Sequence, residues 1–119
     1  MAGVEVRDFS KPDEVRSPER TTVEVVKVGQ GEIGRFTFQP GWRWSECIKP
    51  VVGTDSCQVE HVGYVVSGSL DVQHDDGTTA AITPGTVYRI APGHDARVVG
   101  DEPCVVVEFQ GAAVYAKPV

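Results

Sequence analysis

The sequence predicts an all-β domain, and three observations carry that expectation. From Thr21 onward the chain is a succession of short runs rich in Val, Thr, Phe and Tyr. Gly, Pro and Asp stand between those runs, and no segment keeps a helical period over about ten residues. Short strands at such regular spacing build a sandwich or a barrel.

Residues 1–20 are polar, contain Pro12 and Pro18, and read as an arm lying on the barrel or on a partner subunit. Within them, 11–16 has the makings of one helical turn, with Ser10 as its cap and Pro12 in its first positions. The barrel domain is expected to occupy 21–119. Its strands are placed at 22–28, 33–39, 42–48, 60–66, 69–74, 79–83, 86–90, 95–99 and 104–110, with a last one at 113–116. Asp76-Gly77 marks a tight hairpin between 70–73 and 78–81, and Pro84-Gly85 and Pro92-Gly93 are turn dipeptides.

A chain of 119 residues with 40% hydrophobic content has room for one domain and a modest core. Lys and Arg number 11 against 17 for Asp and Glu, a net charge of −6, so a polyphosphate partner finds no basic surface and nucleic-acid binding is not expected. No apolar run approaches the ~20 residues of a membrane span. Glu5 and Asp8 fall where a signal segment would be basic and then apolar, so the expected location is the cytoplasm, without membrane association. Three cysteines, at 47, 57 and 104, make no disulfide framework and read as thiols; Cys104, in an apolar run, reads as core.

Three stretches stand out. Pro40-Gly41-Trp42-Arg43-Trp44-Ser45-Glu46-Cys47 is answered by His61-Val62-Gly63-Tyr64-Val65-Val66-Ser67-Gly68, and then by the segment running from Pro84-Gly85 to Pro92-Gly93-His94. In their spacing the chain resembles the cupins, whose motif G-x5-H-x-H-x(3,4)-E-x6-G brings metal ligands from neighbouring strands to one point in a barrel. The resemblance covers residues 35–110 and implies a jelly-roll barrel of the double-stranded β-helix type. In this frame Cys47 falls at the first His, Lys49 at the second and His61 at the Glu. Eleven residues, 50–60, lie between Lys49 and His61 where the family has three or four, and 50–57 read as a loop inserted at the barrel mouth. In the second motif, G-x5-P-x-G-x2-H-x3-N, Gly85 and Gly93 align and Ala96 takes the ligand position. His94 shares a face with Ala96 in an extended strand and stands in for the lost ligand.

The resemblance therefore points to His61, His94 and Cys47 as metal ligands. A second registration sets Asp55, Cys57 and His61 against H-x-H-x3-E, but in a straight strand Cys57 and His61 lie ~13 Å apart, so it requires a sharp bend at 58–60. Each ligand also has a plainer reading: a satisfied core histidine for His61, a turn residue for His94, a buried thiol for Cys47. Lys49, Cys57 and Tyr64 are the candidate ligand-binding residues, with Tyr64 and Tyr88 also readable as ordinary strand aromatics. His74, beside a hairpin turn, reads as solvated. Trp42 and Trp44 alternate against Cys47 and are expected to face outward, where they would favour a homodimer.

Two functions follow. One is a small metal-binding cupin, acting as a metal-dependent enzyme on a small metabolite or holding a small organic ligand inside the barrel. Loss of the usual three-His-one-Glu set argues against an iron or manganese dioxygenase. A thiolate and imidazole set prefers zinc, with nickel, copper and iron as the remaining divalent candidates. Its metal affinity should fall below pH ~6.5, where histidine protonates. The other function is a metal-free, non-catalytic binding or accessory cupin, favoured by the incomplete ligand set. No cofactor fingerprint or nucleophile triad is legible, and the motif does not decide whether the protein is catalytic.

Overall fold

The computed structural model describes residues 3–118. Their strands, in chain order, are β1 (Glu14–Arg16), β2 (Thr21–Val28), β3 (Gly31–Phe38), β4 (His61–Ser67), β5 (Ser69–His74), β6 (Thr79–Ile82), β7 (Val87–Ile90), β8 (His94–Val99) and β9 (Cys104–Gln110). Two single-turn helices, α1 (Trp44–Cys47) and α2 (Lys49–Val52), lie between β3 and β4. All strand pairs are antiparallel. The strands form a six-stranded sheet in the order β1-β2-β3-β9-β4-β7 and a three-stranded sheet in the order β6-β5-β8.

Strand alternation decides what enters the core. Val23 and Val25, Phe36 and Phe38, Val65 and Val106 point inward from the larger sheet and meet Leu70, Val72, Ile82, Ala96 and Val98 from the smaller one. Each such Val, Leu, Ile or Phe side chain removed from water contributes ~1.5–3 kcal/mol. The same alternation places three polar residues on the inner face: His61 at the start of β4, His94 at the start of β8 and Glu108 near the end of β9, all buried.

Three expected elements differ. The segment 42–48 is not a strand. Only Arg43 makes a bridge, to Arg97, after which the chain winds into α1, with the amide of Ser45 donating to Asp95 Oδ1 at 3.1 Å. Pro50, which lacks an N–H, sits in the first turn of α2, where that group is not needed. Consequently Trp42 and Trp44 are 3% and 2% exposed, not outward-facing, and Trp42 packs on Phe38 with ring centroids 4.2 Å apart. The aromatic patch expected to favour a dimer is core.

Residues 11–16 form no helical turn: 14–16 are β1, an added edge strand on β2, and the arm is thereby laid on the barrel. Residues 113–116 are turns, not strand. The Arg16 guanidinium donates to the carbonyls of Ala112 and Tyr115, holding this C-terminal segment over one end of the barrel. Tyr115 is buried there, 4.9 Å from the ring of Phe36 and 5.3 Å from that of His61. Gly111, at φ +105°, makes the turn into this segment.

Candidate metal centre

Backbone pairing brings the site together. Cys57 and His94 form an isolated antiparallel bridge: the Cys57 amide donates to the His94 carbonyl at 2.7 Å, and the Gly93 amide to the Cys57 carbonyl at 2.7 Å. Gly93, at φ +99°, supplies the preceding turn. From Cys57 the chain bends through 58–60, which are not strand, and enters β4 at His61. That bend brings Cys57 Sγ to 3.6 Å from His61 Nε2. The His61 and His94 rings lie 5.1 Å apart, and the ligand atoms of Cys57, His61 and His94 are all within 4.8 Å of one another.

Hydrogen bonds on the far side orient both imidazoles. His61 Nδ1 meets Glu108 Oε1 at 2.5 Å, and the other carboxylate oxygen accepts from the Tyr88 hydroxyl at 2.5 Å. His94 Nδ1 meets the Ala91 carbonyl at 2.8 Å. Carboxylate and carbonyl oxygens accept, so each Nδ1 carries the proton and each Nε2 is left for the cluster. Gly63 makes the Tyr88 contact feasible, because a Cβ there would sit 2.7 Å from the Tyr88 hydroxyl oxygen and 2.6 Å from the Val107 carbonyl.

The electrostatics separate the thiol from the imidazole. Burial pushes Cys57 up, but hydrogen bonds from His61 and His94 outweigh it and bring the thiol down to about 6. Burial lowers His61, while the Glu108 charge and the Cys57 contact prevail and raise it to about 10. Without an ion the pair is thiolate and imidazolium. Burial, reinforced by the Glu108 charge, pushes Tyr88 well up, so it stays a donor.

One sulfur and two imidazole nitrogens form a set suited to zinc, with three protein ligands and one open position. Around a tetrahedral zinc at ordinary bond lengths, ligand atoms are about 3.4–3.6 Å apart. The Cys57–His61 separation of 3.6 Å has that value, and all three ligand atoms lie within 4.8 Å of one another, so the set suits such an ion once His94 draws in.

The expected residues are distributed differently from the sequence expectation. His61 and His94 share the cluster; the sulfur beside them is that of Cys57, and Cys47 lies outside the group. Once 44–47 is helical, Cys47 no longer belongs to a strand beside β4, and burial raises its thiol. The bend at 58–60, which a straight-strand reading disfavours, is what makes Cys57 available. Lys49 starts α2 and borders neither space described below, and Tyr64 points to the outer face of β4 and is exposed. His74 is half-buried, with Nε2 2.8 Å from the Pro92 carbonyl. Glu108 and Tyr88 escaped the sequence reading as members of the site. The available signal was an ionisable residue in phase with Cys104 and Val106 on an apolar strand.

Two spaces flank the cluster. An open groove of about 530 Å³ runs between the 48–60 segment and the C-terminal turns, with Ile48, Val52, Cys57 and Val59 on one side and Val114 and Tyr115 on the other. The barrel interior keeps only about 30 Å³, bordered by His61 and His94 but not by Cys57. An organic ligand therefore has room in the groove at the mouth and none inside the barrel.

Solved structures share this architecture. The chain is similar to ectoine synthase from P. lautus, with 15% identity, 93% of this chain and 83% of that one covered, and a TM-score of 0.65. It is similar to KdgF from Halomonas sp., with 19% identity, 90% and 91% covered, and a TM-score of 0.59. A cupin-like protein from Thermotoga maritima matches at 17% identity, with 77% and 68% covered and a TM-score of 0.53. No family model matches the sequence, and no curated protein sequence does. The fold is the cupin jelly roll.

Proposed function

We propose that this cupin-fold chain holds one divalent ion, zinc by preference, through Cys57, His61 and His94, beside a groove that takes a small organic molecule. The carrying observation is the convergence of three ligand atoms within 4.8 Å while each histidine has its Nδ1 engaged elsewhere. A bound ion supplies Lewis acidity and lowers the pKa of a coordinated water. The chain supplies orientation: Glu108 and Ala91 hold the imidazoles, and the buried cluster keeps bulk water away. The cluster supports metal dependence, and a neighbour named as a synthase is in keeping with an enzyme acting on a small metabolite.

Metal analysis of untagged protein tests the reading. One equivalent of zinc is expected in the wild type and in Cys47→Ser, and loss of it in His61→Ala. A wild type that takes up no metal from zinc-containing buffer would end it.

One observation favours the alternative of a metal-free binding protein: Cys57 and His61 are partners for each other at 3.6 Å. In that case the groove binds its ligand with no dependence on chelators. We also propose a cytoplasmic location; no helix among the described residues is long and apolar enough to cross a membrane. A homodimer is proposed on a different surface from the one first expected, the outer face carrying Tyr64, Val66, Val87 and Phe109, all exposed.

A further inference from the structure

The interior cavity of about 30 Å³ is bordered by Trp42, Leu70, Tyr88, His61, His94 and Glu108, among others. Trp42 is 3% exposed, and its buried indole N–H meets no acceptor among the described residues. A buried donor normally has a partner, protein or water. Several of the other polar groups around the cavity are already engaged. Glu108 accepts from His61 and Tyr88, and His94 Nδ1 is held by the Ala91 carbonyl. A space of this size accommodates one water-sized ligand and excludes an organic molecule.

The groove and the cavity reach the cluster from opposite sides. Cys57 borders only the groove, His61 and His94 border only the cavity, and Trp44 and Tyr115 border both and stand between the two spaces. We propose that the cavity is a binding site for a single water-sized ligand, water or hydroxide. That ligand accepts the Trp42 indole N–H and occupies the fourth position of the ion held by Cys57, His61 and His94, while the organic molecule stays in the groove. The assignment of the fourth position rests on the metal reading above; the occupancy of the cavity does not.

Two measurements test it. In a high-resolution crystal structure of the wild-type protein, one oxygen-sized density is expected within ~3.2 Å of Trp42 Nε1. A dry cavity overturns the proposal whatever the metal content. In cobalt-loaded protein, cyanide, which has two heavy atoms, is expected to shift the visible d–d bands, and imidazole, too large for the cavity, to leave them unchanged. Trp42→Phe, which removes the donor and keeps an aromatic ring, is expected to retain cobalt and bind cyanide about five- to tenfold more weakly. Imidazole producing the same shift as cyanide, or Trp42→Phe binding cyanide as the wild type does, overturns the fourth-position assignment. Failure of the wild type to take up cobalt ends the metal reading and leaves the cavity to be decided by the crystal structure.

Discussion

Cys57 and His94 are paired through their backbones: the Cys57 amide donates to the His94 carbonyl at 2.7 Å, and the His94 amide returns to the Cys57 carbonyl at 3.2 Å. The bridge sets the position of the thiol independently of any ion, although Cys57 lies outside the regular strands. The two cysteines should therefore behave differently. Cys57→Ser is expected to weaken zinc by more than the ~10–100-fold that loss of a supporting hydrogen bond costs, because a ligand itself is replaced. Cys47→Ser should leave zinc affinity unchanged. Competition with a chromophoric chelator measures both, and equal effects would rule out the assignment of the sulfur.

That assignment was the part of the site least legible in the sequence. Strands such as β4, β5 and β8 are written locally, in alternation bounded by Gly68, Asp76-Gly77 and Pro92-Gly93, and His61 and His94 come with them. Trp42 and Trp44, two apart, imitate the same alternation. Only the turn at Gly41 and the proline at 50 hint that the segment leaves the sheet for α1 and α2. Cys57 has only the second registration, with Asp55 and His61, as a local signal; a straight strand argues against it, and its place depends on a bridge to a residue 37 positions later (94 − 57). Glu108 was readable as a carboxylate on an inward position, but its partners His61 and Tyr88 come from two other strands.

Glu108 should act on the metal through His61. Replacement by Gln keeps the shape, removes the charge and presents an amide to His61 and Tyr88. Zinc affinity is expected to fall ~10–100-fold at unchanged stoichiometry, as for other partners of ligating histidines. An unchanged affinity in Glu108→Gln would show that His61 needs no anchor. Glu108→Ala is expected to cost ~3 kcal/mol or more of folding stability as well, since it strands a buried imidazolium.

Gly63 tests the other end of this chain of contacts. Gly63→Ala puts a Cβ 2.6 Å from the Val107 carbonyl and 2.7 Å from the Tyr88 hydroxyl oxygen, so one of them must move. A loss of ~1–3 kcal/mol is expected, read as a lower midpoint in urea. A midpoint equal to the wild type's would mean that Tyr88 is not held where Glu108 needs it.

The outer face of β9, β4 and β7 carries Phe109, Tyr64, Val66 and Val87, and Tyr64 stands directly opposite Val87. With Trp42 and Trp44 in the core, this is where a second copy is expected to pack. Light scattering should give twice the 12.8 kDa chain mass for the wild type. Phe109→Asp combined with Val87→Asp should give the monomer, and a wild type that stays monomeric at high micromolar concentration removes the dimer.

The thiolate–imidazolium pair makes the pH dependence specific. A depressed thiol stabilises the fold above its unfolded value, near 8.5, and loses that contribution as pH falls through about 6. A raised imidazole stabilises it below its ordinary value near 6.5 and loses the contribution as pH rises through about 10. Between ~6.5 and ~8.5 folded and unfolded pairs each carry one proton, on His61 in the first and on Cys57 in the second, so this pair gives stability no slope there. In metal-free protein, ultraviolet thiolate absorbance should therefore appear with a midpoint near 6 and vanish in Cys57→Ser. Zinc must displace the proton from His61 Nε2, so its affinity should rise about tenfold per pH unit across that plateau, with one proton released. Below pH 6 the thiolate is lost too, and the dependence steepens towards two protons. Calorimetry in buffers of different ionisation enthalpy counts them, and zinc binding that releases no proton at neutral pH is incompatible with a proton on His61.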